Sequence, residues 1–579
     1  MRASPERPGR RGAGSKRCIA ERFLPAVVCA LLCGARPACA ALWTDADTLS
    51  SAQPGAEFGC SLADIGDFDR GGFAVLAIGA HYFNVGVDTG AGAVFLFGGG
   101  WPQGTPAMAR LDGQSRDEHF GESVTGGRDI DGDGIPDLVV GAPLRAAGAL
   151  AAAGAVDVFR GGGAMPPPLW TSVHGEAADD WFGQSVAVGD LDGDGKAELI
   201  IGAPYNDRNG SAAGAVFIYR GASQPPLTLW KVLVGEAAND QFGWSVAYAG
   251  DVDGDGYGDI VVGARLHGVI GKIAAGRAYL FHGGPSMDTI ADGSWTGEAA
   301  NDWFGQAVAA PGDVDGGGRP DVLVGAPYND RNGSAAGAAY LFRGELPPGS
   351  APSAIFVGES ANAQFGWALG GAPVGAGSGD LDGDGLPDMV VGARFQASGL
   401  LSAAGRVYAF KGGSPPSTVP LGTADGEAAD DWLGNAVTMG RGFFNSSRAS
   451  LLAGAQLDDH GGANVGRAYA WGERPTLSVG PGPLAPHPVR VSPNPARTDV
   501  EIACAVAAEG PLVVSIVDVT GREVSHWTGR AESSGFALLR WDARDEAGAR
   551  VPAGLYFVRV VESGRAQSSP TAGRIVISR

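Results

Sequence analysis

Five acidic nonapeptides begin 61, 61, 62 and 67 residues apart, and this spacing restricts the fold more than any other feature of the 579-residue chain. They are DIDGDGIPD (Asp129 to Asp137), DLDGDGKAE (Asp190 to Glu198), DVDGDGYGD (Asp251 to Asp259), DVDGGGRPD (Asp313 to Asp321) and DLDGDGLPD (Asp380 to Asp388). Recurrence at a fixed interval means one supersecondary unit used repeatedly, because a single unit buries its apolar surface only against its neighbours.

A longer unit surrounds each loop. Phe-Gly opens it at Phe58, Phe120, Phe182, Phe242, Phe304 and Phe365, and Leu433-Gly434 opens a seventh. A short strand follows, then the acidic loop, then an apolar strand ending in Gly-Ala (DLVVGA, ELIIGA, DIVVGA, DVLVGA, DMVVGA). A polar connection leads to a third strand (GAVDVF, GAVFIY, GRAYLF, GAAYLF, GRVYAF), and a fourth run such as Leu169-Trp170-Thr171 closes the unit. Four short strands repeated seven times predict an all-β, seven-bladed β-propeller. Strands such as Leu138-Val139-Val140 are apolar on both faces, as a blade packed between two neighbours requires. Leu42-Trp43-Thr44 matches a fourth strand with nothing before it, whereas the last unit has three strands ending at Trp471. Residues 42 to 48 are therefore expected to complete blade seven and remove an exposed sheet edge.

The loops point to a hard cation. Positions 1, 3, 5 and 9 offer carboxylates and position 7 a backbone carbonyl, a set of six or seven oxygens that suits calcium better than magnesium. The expected ligands are Asp129, Asp131, Asp133 and Asp137 with the carbonyl of Ile135; Asp190, Asp192, Asp194 and Glu198 with Lys196; and Asp251, Asp253, Asp255 and Asp259 with Tyr257. Asp380, Asp382, Asp384 and Asp388 with Leu386 form another set. In the remaining loop, Asp313, Asp315, Asp321 and Arg319 stand around Gly317, which removes one acid and predicts a weaker site. Without His or Cys, the loops are poorly suited to zinc or copper. A metal-free polar turn would gain nothing from four mutually repelling carboxylates. About five structural Ca2+ ions are expected. The first unit, with Val75 at position 9, and the seventh, with no acid from Gly442 to Ser450, are read as metal-free.

In register, Phe-Gly, DxDGDGxxD and Gly-Ala-Pro resemble FG-GAP repeats, and the arrangement resembles the integrin α-subunit head over residues 41 to about 475. The resemblance implies calcium loops between strands 1 and 2 on one face of the ring. It places partner recognition on the other face, through the 4-1 and 2-3 connections. No metal-dependent adhesion domain is inserted between blades, so integrin-type ligand chemistry is not implied.

Residues 1–40 read as a secretory signal peptide: a basic start, apolar Phe23 to Leu32, and Ala38-Cys39-Ala40 before the expected cleavage. That apolar run is too short to span a bilayer, and no later one is long enough. The formal charge is −21; removing the eight basic and two acidic residues of the leader makes it −27, a poor basis for binding nucleic acid or an anionic membrane. Cys60 and Cys504 then remain, read as small buried side chains rather than a disulfide.

TLSVGPGPLAPHP (476–488) reads as a linker. From Val489 to Arg579, alternating strands predict a β-sandwich. There SPNPA, VDVTGREV and WDARDEAGARVPAGLYFVRV resemble the Ig-like tail of exported bacterial proteins, a group that includes flagellar hook-capping and type IX secretion sorting domains. The resemblance implies export and surface attachment; a plain spacer module is the alternative.

No HExxH, GxSxG or P-loop is present. The segment GAPYNDRNGSAAGA occurs identically at 202–215 and 325–338, which makes Tyr205, Asp207, Arg208, Tyr328, Asp330 and Arg331 candidate ligand contacts, unless internal hydrogen bonds hold these loops. The expectation is a secreted or surface-displayed bacterial protein that acts without catalysis as a recognition or adhesion module for an extracellular protein or glycan. An extracellular polysaccharide lyase or hydrolase, and a passive surface-layer component, are the alternatives.

Overall fold

The computed structural model describes residues 47–562 and 571–577, apart from 52, 100–105, 345–349, 372–378, 442–447, 473–488, 493–499, 507–509, 519–521, 532–534 and 546–547. The leader and the linker lie outside the described residues. Among those described there is no helix, so none long and apolar enough to cross a membrane.

The third blade shows how each unit is built. Ser185–Gly189, Glu198–Ala203, Ala215–Arg220 and Thr228–Val234 pair antiparallel in sequence order, and the middle two strands are apolar on both faces. Six such four-stranded sheets follow one another along the chain. The seventh holds Leu433–Arg441, Ala449–Ala455 and Arg467–Trp471, and its outer strand is Asp47–Leu49, with Thr48 opposite Tyr469. The expected zipper therefore forms; its described part ends at Leu49, and residues 42–46 lie outside the description.

The innermost strands close a cycle. Leu62–Asp64 packs against Ser123–Arg128 on one side and Leu433–Arg441 on the other, and strands from all seven blades line one central channel. Seven parallel bridges tie each blade to the next: Gly92 to Phe120, Gly154 to Phe182, Gly214 to Phe242, Gly276 to Phe304, Gly337 to Phe365, Gly405 to Leu433 and Gly466 back to Phe58. These bridges explain the Phe-Gly repeat. Gly154 has φ +85°, and a Cβ there would sit 2.1 Å from the Phe182 carbonyl oxygen, so only glycine permits the approach. Phe182 itself is 1% exposed and meets Phe217 edge-on at 5.3 Å, a contact that Phe242–Tyr279 and Phe304–Tyr340 reproduce. Leu433 fills the same buried position in blade seven.

Residues 489–577 form a three-stranded sheet (Val489–Ser492, Val500–Val506, Gly535–Trp541) and a four-stranded sheet (Glu523–Ala531, Gly510–Asp518, Gly554–Glu562, Thr571–Ile577). Val500, Ile502, Leu539 and Trp541 from the first share one core with Leu512, Val514, Ile516, Tyr556 and Val558 from the second. This is a seven-stranded sandwich.

Candidate functional site

In all five acidic loops the second strand starts at position 9 or the residue after it, so the loops share one end of the ring. Their hydrogen bonding is nearly identical. Asp129 accepts from the N–H groups of Gly132 and Gly134 (both 2.6 Å), Asp131 from that of Asp133 (3.0 Å), and Asp133 from that of Ile135 (2.9 Å). The same bonds recur from Asp190, Asp251 and Asp380. Backbone N–H groups thus hold one oxygen of the position-3 and position-5 carboxylates and leave the other free of the backbone. Carboxylate oxygens lie within 4.8 Å of one another in Asp129/Asp131/Asp137, Asp190/Asp192/Asp194, Asp251/Asp253/Asp255 and Asp313/Asp315/Asp321.

Position 9 also has a structural task. Asp137, Glu198, Asp259, Asp321 and Asp388 are at most 1% exposed. Each accepts from the N–H at position 2 (Ile130, Leu191, Val252, Val314, Leu381) at 2.7–2.9 Å. Four accept a second bond at 2.9–3.1 Å from a glycine just past the third strand. Burial, opposed by these bonds, pushes Asp137, Asp259 and Asp388 up to about 6, and Glu198 and Asp321 to about 7. Any bidentate ligation at position 9 would share its oxygens with these donors.

The donor set fits a hard divalent cation. Asp313 Oδ1 is buried and accepts no hydrogen bond, and Asp131 Oδ2 is likewise without one, meeting only the Arg160 guanidinium. That arginine belongs to a pattern sequence reasoning missed. The residue ending or just following the third strand contacts position 3 in every acidic blade: Arg160 to Asp131, Arg220 to Asp192 (3.1 Å), His282 to Asp253 (3.1 Å), Arg343 to Asp315 (2.6 Å) and Lys411 to Asp382 (2.5 Å). The blades without acidic loops carry Gly98 and Gly472 there. The co-occurrence was visible in the sequence as a basic residue after VF, IY, LF or AF.

The opposite end of the ring carries the Phe-Gly and Gly-Ala corners. Here the repeated loop is held internally: Arg208 forms two bonds with Glu176 (2.6 and 2.7 Å), and Arg331 pairs with Glu298 in the same way. Asp207 and Asp330 accept from the backbone N–H groups of Ala212 and Ala335. The Asn209 and Asn332 amides donate to backbone carbonyls just after the fourth strand of their own blade, in the connection to the next. Tyr205 and Tyr328 remain half-exposed, stacked edge-on against Trp181 (4.5 Å) and Trp303 (4.4 Å). Cys60 is a free thiol and only partly buried, against the expectation of a buried one, because it occupies the open corner after Phe-Gly. Close by, buried His81 lies between Glu57 (3.2 Å) and Glu122 (3.0 Å). Burial opposes its charge, yet Cys60 and Glu122 raise its pKa well above the ordinary histidine value; Glu122, partly buried, is held down to about 2 by His81.

A closed ring of seven four-stranded blades with acidic loops at one end defines a β-propeller. Five of its blades match FG-GAP repeat models: one at residues 120–159, 182–219, 242–281 and 372–410, and a second at 296–342. Blades one and seven, outside those matches, are supplied by the structure. The chain is similar to integrin alpha-PS2 of Drosophila melanogaster, 34% identical over 238 residues that make up 37% of this chain and 15% of that subunit. It is also similar to integrin alpha-V of Gallus gallus, 36% identical over 231 residues, 38% of this chain and 21% of that one. It thus spans about a fifth or less of the length of these relatives. A looser likeness, at 15% identity and a TM-score of 0.40 over 91% of this chain and 60% of the other, is to PorZ, a surface component of the type IX secretion system of Porphyromonas gingivalis.

Proposed function

We propose that this protein is an extracellular or surface-displayed recognition module whose propeller is held rigid by calcium in its acidic loops and presents ligand contacts on the opposite face. The observation that carries this reading is the division of labour between the two ends of the ring. One end gathers carboxylates on backbone-fixed loops, and the other presents half-exposed aromatic rings among arginine–glutamate pairs such as Arg208–Glu176 and Arg331–Glu298. The central channel, about 270 Å³, falls below the ~300–1,000 Å³ of small-molecule sites, so the face is the better location for a ligand. The sandwich at residues 489–577 is read as an Ig-like domain that attaches the propeller to a surface. The protein is read as non-catalytic. An array of extracellular proteins and glycans, probed with and without calcium, tests the module: specific capture that weakens in chelator is expected, and absence of any capture in either condition rejects it.

The loop at Asp313 offers a second test. Gly317 does not have a positive φ, so an aspartate fits its backbone conformation. Gly317→Asp completes the carboxylate set and is expected to raise the melting temperature by about 1–2 °C in millimolar calcium and not in EGTA. A rise of equal size in both media would mean the substitution acts on the loop alone.

A further inference from the structure

Arg265 and Arg394 are exceptions to how this molecule treats its charges. Each follows Gly-Ala at the end of a second strand, in blades four and six, and each is half-buried against aromatic rings. The Arg265 guanidinium carbon lies 3.0 Å from the centre of the Trp244 ring and 4.9 Å from that of Trp303. Arg394 lies 3.1 Å from Trp367, 4.6 Å from Phe395 and 5.2 Å from Trp432. Among the described residues neither has a carboxylate partner, whereas Arg145, Arg208, Arg277, Arg331 and Arg406 all form ion pairs. Their hydrogen bonds go to neutral groups instead: Arg265 to Gln241 (2.7 Å), Gln306 (3.1 Å) and the Tyr205 hydroxyl, Arg394 to Gln364 (2.8 Å) and the Tyr328 hydroxyl. Burial without a counter-charge brings both guanidinium groups down to about 10, despite nearby Tyr205 and Tyr328.

The contrast with blade one shows what is missing. His81 occupies the position of Arg265, and it is flanked by Glu57 and Glu122, which stand where Gln241 and Gln306 stand around Arg265. The fold therefore accommodates carboxylates at these positions, and blade four has the near-isosteric amides. A half-buried cation with that vacancy in charge gains most from an anion brought by a ligand, and a guanidinium binds a carboxylate with two parallel bonds.

We infer that Arg265 and Arg394 form an anion-reading site for an acidic polysaccharide, with uronate carboxylates on the guanidinium groups and sugar faces against the half-exposed rings of Trp303, Tyr328 and Trp432. The inference rests on the recognition reading above and names its ligand class. The acidic loops do not repel such a chain, because Asp259 and Arg265 are separated by six residues of extended strand, about 20 Å, against a screening length of about 8 Å at physiological salt. On the face itself the exposed carboxylates of Glu236, Glu298 and Glu359 are each paired with an arginine (Arg277, Arg331 and Arg406).

The test uses the full chain in calcium with polygalacturonate, polyglutamate of matched charge density and neutral dextran as probes. Polygalacturonate is expected to bind, with affinity at least tenfold weaker in Arg265→Gln and in Arg394→Gln, and to weaken with added salt. Gln241→Glu/Gln306→Glu keeps both arginines but supplies the internal counter-charge; it is expected to lose binding while its melting temperature rises, so misfolding cannot mimic the result. Polyglutamate binding as tightly as polygalacturonate overturns the polysaccharide assignment. Absence of polygalacturonate binding, or binding indifferent to all three variants, overturns the site; a different ligand captured on the array independently of Arg265 would leave the recognition reading standing.

Discussion

Chelation of calcium is expected to lower the melting temperature of the propeller by up to about 10 °C. Each loop binding with a Kd near 10⁻⁴ M, at the tight end for extracellular modules, contributes about 1.8 kcal/mol of stability in 2 mM calcium by mass action. Four full loops sum to about 7 kcal/mol, and the weaker loop at Asp313 brings the total to at most about 9 kcal/mol. With an unfolding entropy of about 2.1 cal/mol/K per residue over roughly 430 residues, that upper figure corresponds to about 10 °C. The ring is expected to stay folded in EGTA, because Arg160, Arg220, His282, Arg343 and Lys411 already place a cationic or protonatable group on each loop's position-3 carboxylate. Calorimetric scans in 2 mM calcium, 2 mM magnesium and EGTA check this. Magnesium is expected to restore little, since the loops offer irregular oxygen cages rather than an octahedron. An unchanged melt in EGTA would remove the loops' structural role.

The ring itself was legible because its two constraints leave marks on single residues. The glycine-to-phenylalanine approach at Gly154 and Phe182 tolerates no Cβ, so Phe-Gly and the preceding glycine recur in every blade, with leucine replacing phenylalanine once. The closure by an N-terminal strand was legible from an unpaired fourth-strand sequence, although Leu49 extends the pairing beyond the expected limit. The five carboxylate loops were likewise readable from their spacing, since each carboxylate at positions 1, 3 and 5 serves a fixed backbone N–H. What the sequence hid lies between blades. The residue after Gly-Ala runs His81, Pro143, Pro204, Arg265, Pro327, Arg394, Gln456, which looks like loop variation. Only the topology shows that His81 and Arg265 each lie between the residue before their own Phe-Gly and the residue after that of the next blade, and that Gln456 bonds Asn435 after its own Leu-Gly and Glu57 before the next Phe-Gly. In the repeated GAPYNDRNGSAAGA loop the internal-hydrogen-bond alternative describes Arg208 and Asp207, which are exposed yet hold the loop, while its tyrosine packs edge-on against Trp181.

Arg145→Met is expected to cost about 3–5 kcal/mol, among the largest effects of any single substitution in the ring. The guanidinium is 6% exposed and binds Glu118 twice (3.0 Å each) and Asp157 once (2.8 Å); these carboxylates are 0% and 1% exposed. Blades three and five solve the same packing problem with neutral side chains, Asn206 on Asp180 and Asn329 on Asp302, and blade four with His267 on Asp240 (2.8 Å), whereas blade two sets an arginine between two acids. Glu118 is fixed further by the Gln114 N–H and the Ser115 hydroxyl, and Asp157 by the Ser172 hydroxyl, so neither can turn to water when the arginine is removed. Two stranded carboxylates would then have folded pKa values above their unfolded values of about 4. A carboxylate raised in this way penalises folding only above its unfolded pKa, so the deficit should be full at pH 7 and shrink as pH falls towards 4. Urea melts of Arg145→Met across that range measure the slope, and adding Glu118→Gln and Asp157→Asn should recover most of the loss at pH 7 while flattening the pH dependence. A deficit below about 1 kcal/mol, or one that ignores pH, would show that the corner is held by its apolar neighbours and not by the ion triad.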